Sequence, residues 1–317
     1  MPFKITISIL VQLIYIPLFA LGTFENDLEG DTIKRKDTLI QNWKLKSLFG
    51  LSGTQTSFVN WNAGGKNNIS LIGSINSSAN YSKGQLNWKN EISLALGGIM
   101  YFDEVENYPV QKTDDKIDLS SSYGVKFSKR FFVSFIQGFK TQFLKGFSKP
   151  TDINYVSNFM APGYLSFALG TDYIKDDKFS IFGSPMASKA TFVNDDSLSS
   201  VGAFGVRNNE KARLEYGAFV KVNFNQKLMK NIEMKSKLEL FSNYTNNPQN
   251  IDVNAELMFT FKVNNLFTSS AQWNLIYDDD IKIKDANGGE GPRTQFKSVL
   301  GIGISYKLDN EPIKKKV

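Results

Sequence analysis

Nine charged residues between positions 213 and 262 lie an even number of positions apart within each of three alternating segments. They are Arg213, Glu215, Lys221, Glu233, Lys235, Lys237, Glu239, Glu256 and Lys262. Residues two apart in an extended strand point to the same side, so each segment presents its charges on one face. Both signs recur on adjacent segments, which makes cross-strand ion pairs available. The pattern predicts either a polar conduit or binding site for a charged solute, or a charge ladder that fills a narrow interior.

The composition excludes most catalytic chemistry. The 317-residue chain contains no His and no Cys, so it cannot build a Ser-His-Asp triad, a His base, a thiolate metal site or a disulfide. Ser and Lys are abundant, but no spacing singles out a Ser-Lys dyad. We therefore expect no catalytic residues, no enzymatic activity and no cofactor. The net charge of +6 is mild for this length, and we expect no binding to nucleic acid.

One acidic segment, residues 278–290, carries hard oxygen ligands. Its carboxylates are Asp278, Asp279, Asp280, Asp285 and Glu290. Their spacing does not match a calcium loop, which places ligands on alternate residues around a fixed glycine. We expect a solvated acidic loop, and metal coordination is the weaker alternative.

The segments that carry these residues alternate between apolar and polar positions. In residues 253–263, the odd-numbered positions from Val253 to Val263 are apolar, whereas Glu256, Thr260 and Lys262 lie among the alternate positions. Such alternation is typical of strands with two different faces. Twelve segments follow the pattern: 43–60, 68–81, 85–102, 116–127, 130–143, 161–174, 178–192, 212–224, 232–244, 251–263, 266–278 and 294–308.

The connections between these segments alternate in length. Short turns follow every second segment, as at 82–84 and 128–129, and longer loops such as 144–160 and 193–211 follow the others. An even number of antiparallel strands with short turns at one rim is typical of outer-membrane barrels. We predict an all-β fold, a transmembrane antiparallel up-and-down β-barrel of about twelve strands over residues 43–308. A soluble all-β protein is the alternative.

Aromatic residues flank the short turns on the face that we assign to the outside. Rings at one height would form an interfacial girdle if the barrel closes. The residues are Tyr81, Trp88, Phe127, Phe131, Tyr173, Phe179, Phe224, Phe261, Phe267 and Tyr306.

The N-terminus has the pattern of a targeting segment. Lys4 precedes an apolar run from Ile5 to Leu21, and small residues at Ala20 and Gly22 suit a signal peptidase site. We predict a signal peptide at 1–22 that is cleaved after Gly22; a transmembrane helix is the alternative. Residues 23–42 then form a periplasmic lead-in, and residues 309–317 form a polar periplasmic tail.

The loop around 195–207 is unusually apolar for an external loop. The segment reads DDSLSSVGAFGVR. Two interpretations are equally compatible with it: the loop tucks into the barrel mouth as a constriction, or it extends the two flanking strands above the membrane.

Three stretches carry a resemblance to a known family. They are Trp61, Asn62, Ala63, Gly64 and Gly65 with Asn67, Asn68 and Ser70; Gly170 and Tyr173 through Ser184, Pro185 and Lys189; and Leu198 with residues 202–206. Together they resemble an uncharacterised family of exported proteins from Bacteroidota-type bacteria, domain of unknown function 3078. The resemblance implies an outer-membrane β-barrel with no assigned activity, and no catalytic residues are carried over. Gly64 and Gly65 suit a loop that needs positive φ, and Pro185 suits a strand bulge or exposed edge.

These observations favour an outer-membrane barrel that acts as a narrow pore or transporter, or as a structural surface protein. A loop-mediated adhesin or partner-binding protein is the alternative, and an outer-membrane enzyme is a distant one. The expected partners are outer-membrane lipid and, during biogenesis, the barrel-assembly machinery. The sequence does not identify a solute.

Overall fold

The computed structural model describes residues 42–57, 67–102, 110–148, 152–264, 266–284 and 289–310. The predicted signal peptide, residues 23–41 of the lead-in, Trp61, Asn62, Gly64, Gly65 and residues 311–317 of the tail lie outside these ranges. The described residues form the strands β1 (Trp43–Thr56), β2 (Asn68–Lys83), β3 (Leu86–Tyr101), β4 (Gln111–Lys126), β5 (Phe131–Thr141), β6 (Gly163–Ile174), β7 (Phe179–Phe192), β8 (Ala212–Met229), β9 (Ile232–Asn243), β10 (Ile251–Lys262), β11 (Phe267–Tyr277), β12 (Lys282–Lys284), β13 (Glu290–Pro292) and β14 (Gln295–Asp309). A helix, α1 (Asp196–Ser200), and a 3-10 turn (Ala203–Gly205) lie between β7 and β8.

Twelve of the strands within the described ranges close into one antiparallel barrel. Each of β1 to β10 pairs with the next strand, β11 pairs with β14, and β14 pairs with β1. The prediction of a twelve-stranded up-and-down barrel is confirmed. The turns that join β2 to β3, β4 to β5, β6 to β7, β8 to β9 and β10 to β11 lie at one end, the short-turn end. The opposite rim is the long-loop end.

Two strands are longer than the sequence pattern predicts. β4 begins at Gln111 rather than at 116, and β8 continues to Met229 rather than ending at 224. Both extensions consist mainly of polar residues, which the pattern assigns to loops. Their backbone is paired all the same, β4 with β3 and β8 with β9, so ladder hydrogen bonds continue beyond the apolar band. The predicted loop 279–293 also contains a small hairpin, β12–β13.

The two faces of the barrel differ as the alternation predicts. On β14, Leu300 and Ile302 are 69% and 70% exposed on the outer face. On β10, Phe259 lies on the same outer face, whereas Thr260 pairs with Glu233 on the inner face. An outer surface this apolar needs a nonaqueous environment. In the described part of the chain, no helix has the length and apolar character to cross a membrane.

A bulge in β7 changes which residues face inward. Ser184 pairs with Phe219 and Ala187 with Gly217, so one side of the ladder has an extra residue at this point. Pro185, which has no N–H to donate, lies inside the bulge, as the sequence suggests. The Ser184 hydroxyl donates to the Leu169 carbonyl at 2.7 Å and accepts the Met186 N–H at 3.0 Å. These bonds replace the ladder contacts that the bulge interrupts.

Candidate functional site: the barrel lumen

Ion pairs between strands that are not neighbours identify the inner face. Lys116 of β4 lies 3.2 Å from Glu256 of β10, and Lys140 of β5 lies 2.7 Å from Glu239 of β9. Strands this far apart in the sheet can exchange side-chain contacts only through the lumen. The charged faces of β4, β5, β9 and β10 therefore point into the barrel.

The first charged cluster, the upper network, lies near the long-loop end. The Lys189 ammonium contacts Asp252 at 2.5 Å and Asp278 at 3.1 Å and lies 3.6 Å from Glu215. The Arg213 guanidinium contacts Glu215 at 3.0 Å and Asp280 at 2.7 Å. The members of the upper network are Lys189, Arg213, Glu215, Asp252, Asp278 and Asp280. Two bases face four carboxylates, so this end of the lumen carries an excess of acid.

A second charged cluster, the lower network, lies nearer the short-turn end. Lys237 is its centre and approaches Glu239 at 3.0 Å and Asp118 at 3.7 Å. Lys221 lies 3.9 Å from Glu239, and Lys116 is 3.7 Å from Asp118. The members of the lower network are Lys116, Asp118, Lys140, Lys221, Lys237, Glu239 and Glu256. Here bases are in slight excess.

An apolar layer separates the two networks. Along β8 the inward residues run from Glu215 through Phe219 to Lys221, and along β9 Phe241 follows Glu239. The layer consists of Ile136, Ala168, Phe182, Ala187, Phe219 and Phe241. Phe182 is only 2% exposed. The Lys189 ammonium lies 5.2 Å from the Phe241 ring centroid, so a cation–π contact joins the layer to the upper network. Side chains therefore fill the lumen along β5 to β9.

The wall made of β14, β1, β2 and β3 is different. Most of its central inward positions carry small side chains, with Leu48 and Ile72 as the larger exceptions. Ser93 hydrogen-bonds Asn76 across the ladder at 2.8 Å. We call it the small-residue wall; its central residues are Gly50, Ser52, Ser74, Asn76, Ser93, Ala95, Gly97, Gly303 and Ser305. All of these remain half-buried. The other side of the lumen, β4 to β10, is named here the packed side. Its residues Glu215, Phe182 and Asp118 are buried. The small-residue wall therefore fills less of the lumen than the long side chains of β4 to β10 do.

The 193–211 loop folds over the long-loop end as a cap. Asp195 starts α1 by accepting the Leu198 N–H at 3.1 Å, and it also accepts hydrogen bonds from Tyr155 and Asn158. Burial raises the pKa of Asp195, but these hydrogen bonds outweigh it and hold the pKa below its usual value. Ala161, Val193, Leu198 and Val206 form a small core beneath the cap.

The cap touches the upper network. Gly205 has a φ of 76°, and a Cβ added there would lie 2.7 Å from an Arg213 guanidinium nitrogen and 3.0 Å from the Asp280 carbonyl oxygen. Of the two interpretations of this loop, the structure shows the tucked one. The loop lies against the barrel mouth and does not extend β7 and β8.

Six of the nine charged residues selected from the sequence belong to the two networks. Arg213 and Glu215 lie in the upper network, and Lys221, Lys237, Glu239 and Glu256 lie in the lower one. Glu233, Lys235 and Lys262 also lie on the inward register positions, but nearer the short-turn end and outside both networks.

The acidic loop contributes to the lumen. Asp278 and Asp280 pair with the bases of the upper network, and Asp279 accepts hydrogen bonds from Asn250 and Tyr277. Asp285 and the Glu290 side chain lie outside the description. Within the described ranges, no group of three or more acidic side chains is arranged to hold a metal ion.

Sequence reasoning missed several of the residues that build the networks. The missed residues are Lys116, Asp118, Lys140, Lys189 and Asp252. Lys140 is a lone charge on its strand, without a repeated alternating pattern. Asp252 shares its face with Glu256 and Lys262, so alternation along β10 is a signal that could have found it. Lys189 follows the β7 bulge, so counting alternate residues from the short turn places it on the wrong face. The presence of Pro185 in a strand is the one sequence signal that indicates this change.

A family described as "Protein of unknown function (DUF3078)" matches residues 54–147 of the chain. The match contains the Trp61–Gly65 motif, whereas the resemblance seen at 170–189 and 198–206 falls outside it. The comparison with curated proteins gives no match.

Several solved membrane barrels are similar to the chain in fold. The translocator domain of the autotransporter NalP from Neisseria meningitidis aligns at 9% identity, with a TM-score of 0.35, over 96% of this chain and 97% of that one. An outer membrane channel from Pseudomonas putida F1 aligns at 10% identity and a TM-score of 0.38, over 90% of this chain and 99% of that one. The NanC porin aligns at 9% identity and a TM-score of 0.35, over 83% of this chain and 100% of that one. Similarities this weak say nothing about activity.

Proposed function

We propose that this chain is an outer-membrane barrel that acts as a narrow pore or transporter, with small polar solutes moving along the small-residue wall. The barrel and its lumen support the proposal, and it assigns no catalytic step. The cell outer membrane is the location that fits a closed barrel with an exported N-terminal pattern.

The outer face supports a membrane location. Large apolar side chains on it are exposed, such as Phe296, Leu300 and Ile302 on β14. Aromatic residues are paired across strands near the short turns, with Tyr81 opposite Trp88, Phe131 opposite Tyr173 and Phe179 opposite Phe224. An apolar band with rings at its border is what a bilayer requires of a barrel.

The difference in burial between the two sides of the lumen carries the pore proposal. The packed side, β4 to β10, fills its half with ion pairs and aromatic rings, so a solute has no room there. The small-residue wall keeps short polar side chains that solvent reaches, such as Ser74, Ser93 and Ser305. Hydroxyl and amide groups interact with polar solutes without the strong retention of an unpaired charge.

A structural barrel is the second candidate. The apolar layer and the ion pairs that cross the lumen favour it, because both stabilise a filled interior. In that case the space beside the small-residue wall would not connect the two ends of the barrel.

Single-channel recording of the refolded full-length protein in planar bilayers distinguishes the two candidates. We expect small, ion-conducting steps from the wild type. Ser305→Trp places a large ring on the inward side of β14 and should lower the conductance severalfold. Ser298→Trp places the same ring on the exposed outward side of β14 and should leave the conductance unchanged. A wild-type barrel that inserts but does not conduct would reject the pore and favour the structural barrel.

A further inference from the structure

The short-turn end carries a ring of exposed basic residues. They lie in or beside four of the short turns and are named here the basic rim: Lys83, Lys129, Arg130, Lys175, Lys178 and Lys230. All six are exposed, and within the described ranges none of them forms an ion pair with a carboxylate. Because these side chains are exposed at the short-turn end of the barrel, their charges are available to a ligand.

The two acids of the same turns offset only part of the charge of the six bases. Asp176 and Asp177, in the turn between β6 and β7, are exposed. Asp176 accepts the backbone N–H groups of Lys178 at 2.8 Å and Phe179 at 3.1 Å, so its carboxylate holds the turn together. The rim therefore keeps a clear positive excess.

The long-loop end is different. There the exposed bases of the cap are paired: Lys211 contacts Asp196 at 2.7 Å, and Arg207 lies 3.8 Å from Glu210. The nearby upper network adds an excess of carboxylates. The excess of positive charge thus lies at the short-turn end of the barrel.

The basic rim borders the aromatic rings of the outer face. Arg130 directly precedes Phe131, and its guanidinium donates to the Tyr173 hydroxyl at 3.3 Å. Lys178 directly precedes Phe179, and Lys83 follows Tyr81 by two residues. A strand rises about 3.3 Å per residue, so the bases lie only a few ångströms beyond the rings. Rings at this border occupy the headgroup level, and bases just beyond them reach the lipid phosphates.

We propose that the basic rim binds the phosphates of anionic phospholipids in the leaflet at the short-turn end. A lipid surface suits the rim better than a soluble polyanion, because the bases are spread around the perimeter and lie beside outward-facing rings. Basic residues in this position attract anionic lipid, and the attraction weakens with salt. The inference requires insertion into a membrane but not pore activity.

Native mass spectrometry of the refolded full-length barrel in neutral detergent tests the proposal. The probe is phosphatidylglycerol, with phosphatidylcholine as the uncharged comparison. The test variant combines Lys129→Gln, Arg130→Gln, Lys175→Gln and Lys178→Gln. The matched control removes the same charge from the other end with Lys145→Gln, Arg207→Gln, Lys211→Gln and Lys282→Gln, all of them exposed. Folding of each is checked by the change in gel mobility on boiling.

We expect the wild type to bind phosphatidylglycerol in preference to phosphatidylcholine, and added salt to reduce that preference. The test variant should bind phosphatidylglycerol at least on the order of tenfold more weakly, and the control should match the wild type. Equal losses in both variants, or equal binding of the two lipids by the wild type, would overturn the proposal. If the test variant does not fold, the salt dependence of the wild type alone decides.

Inositol hexakisphosphate separates a lipid site from a polyanion site. If it displaces phosphatidylglycerol completely at equal phosphate concentration, the rim is a soluble-polyanion site and the lipid assignment is wrong. We expect it to displace little, because it has no acyl chains to lie beside the rings. A barrel that binds phosphatidylglycerol without conducting would leave this inference standing and reject only the pore.

Discussion

The packed side of the lumen, β4 to β10, and the small-residue wall, β14 and β1 to β3, enclose the same space in different ways. On the packed side, long side chains reach across to one another and bury both charges and rings. On the small-residue wall, most inward side chains are short, and they fill less of the lumen. One barrel thus combines a filled side with a side lined mainly by short residues, and the pore proposal assigns stability to the first and passage to the second.

The largest expected effect comes from breaking the upper network. Lys189→Met removes the base that serves Glu215, Asp252 and Asp278 together. Leaving buried carboxylates unpaired costs about 3–5 kcal/mol, so the urea midpoint of the refolded barrel should fall strongly. Lys44→Met on β1, where Lys44 is exposed, should change it little. Equal shifts in the two variants would show that the two sides do not differ in how they stabilise the barrel.

The apolar layer provides a second test of the comparison. Phe182 is 2% exposed, and Phe182→Ala should cost about 3 kcal/mol through lost contacts and a cavity. The same cavity joins the two networks, so the variant should also conduct better than the wild type. A loss of stability with unchanged conductance would mean that the layer does not limit passage on the packed side.

The assignment of faces underlies every statement about the two sides. Phe259→Lys places a charge on the lipid face and should destabilise the barrel by about 2–4 kcal/mol if it lies near the membrane centre, whereas Thr260→Lys enters a polar lumen. Refolding yield and the heat-dependent gel shift report the difference. A more damaging Thr260→Lys would mean that β10 is assigned inside out, and that Glu256 with it does not face the lumen.

The smallest effect concerns the cap, whose loops belong to strands of the packed side. The hydrogen bonds that lower the pKa of Asp195 stabilise the cap fully above the unfolded value near 4. That stabilisation is lost as the pH falls through the lower folded pKa, and for this solvated group it is under about 1 kcal/mol. The protection factors of the 193–211 backbone amides, which allow for the slower intrinsic exchange in acid, should therefore fall below pH 4. Asp195→Asn keeps a residue suited to the start of a helix and should lose this pH dependence. If the variant responds to acid as the wild type does, the pH dependence of the cap belongs to another group.

Alternation predicted the strands and their faces because a bilayer outside and a polar lumen inside impose opposite requirements on successive residues. Phe259 and Thr260 are assigned correctly for this reason. The partners of Glu239 and Glu256 were not predictable, since Lys140 and Lys116 are distant in sequence and meet these acids only across a closed barrel. The small-residue wall was not identified either, because Gly and Ser produce weak alternation and their meaning depends on the packed side opposite.

The bulge at Ser184–Met186 acts on β7 as an insertion acts on a reading frame. Phe182 and Lys189 are seven positions apart, an odd separation that would put them on opposite faces of a regular strand, yet both face inward opposite Lys221 and Glu215. Deleting one residue here would leave Phe182 and Lys189 six positions apart, so a regular strand would keep both in the lumen without the bulge. If the bulge were lost without a deletion, one half of the strand would turn over, and either Lys189 would enter the lipid or Phe182 would leave the lumen. The bulge therefore takes up one extra residue and preserves inside and outside along the whole strand.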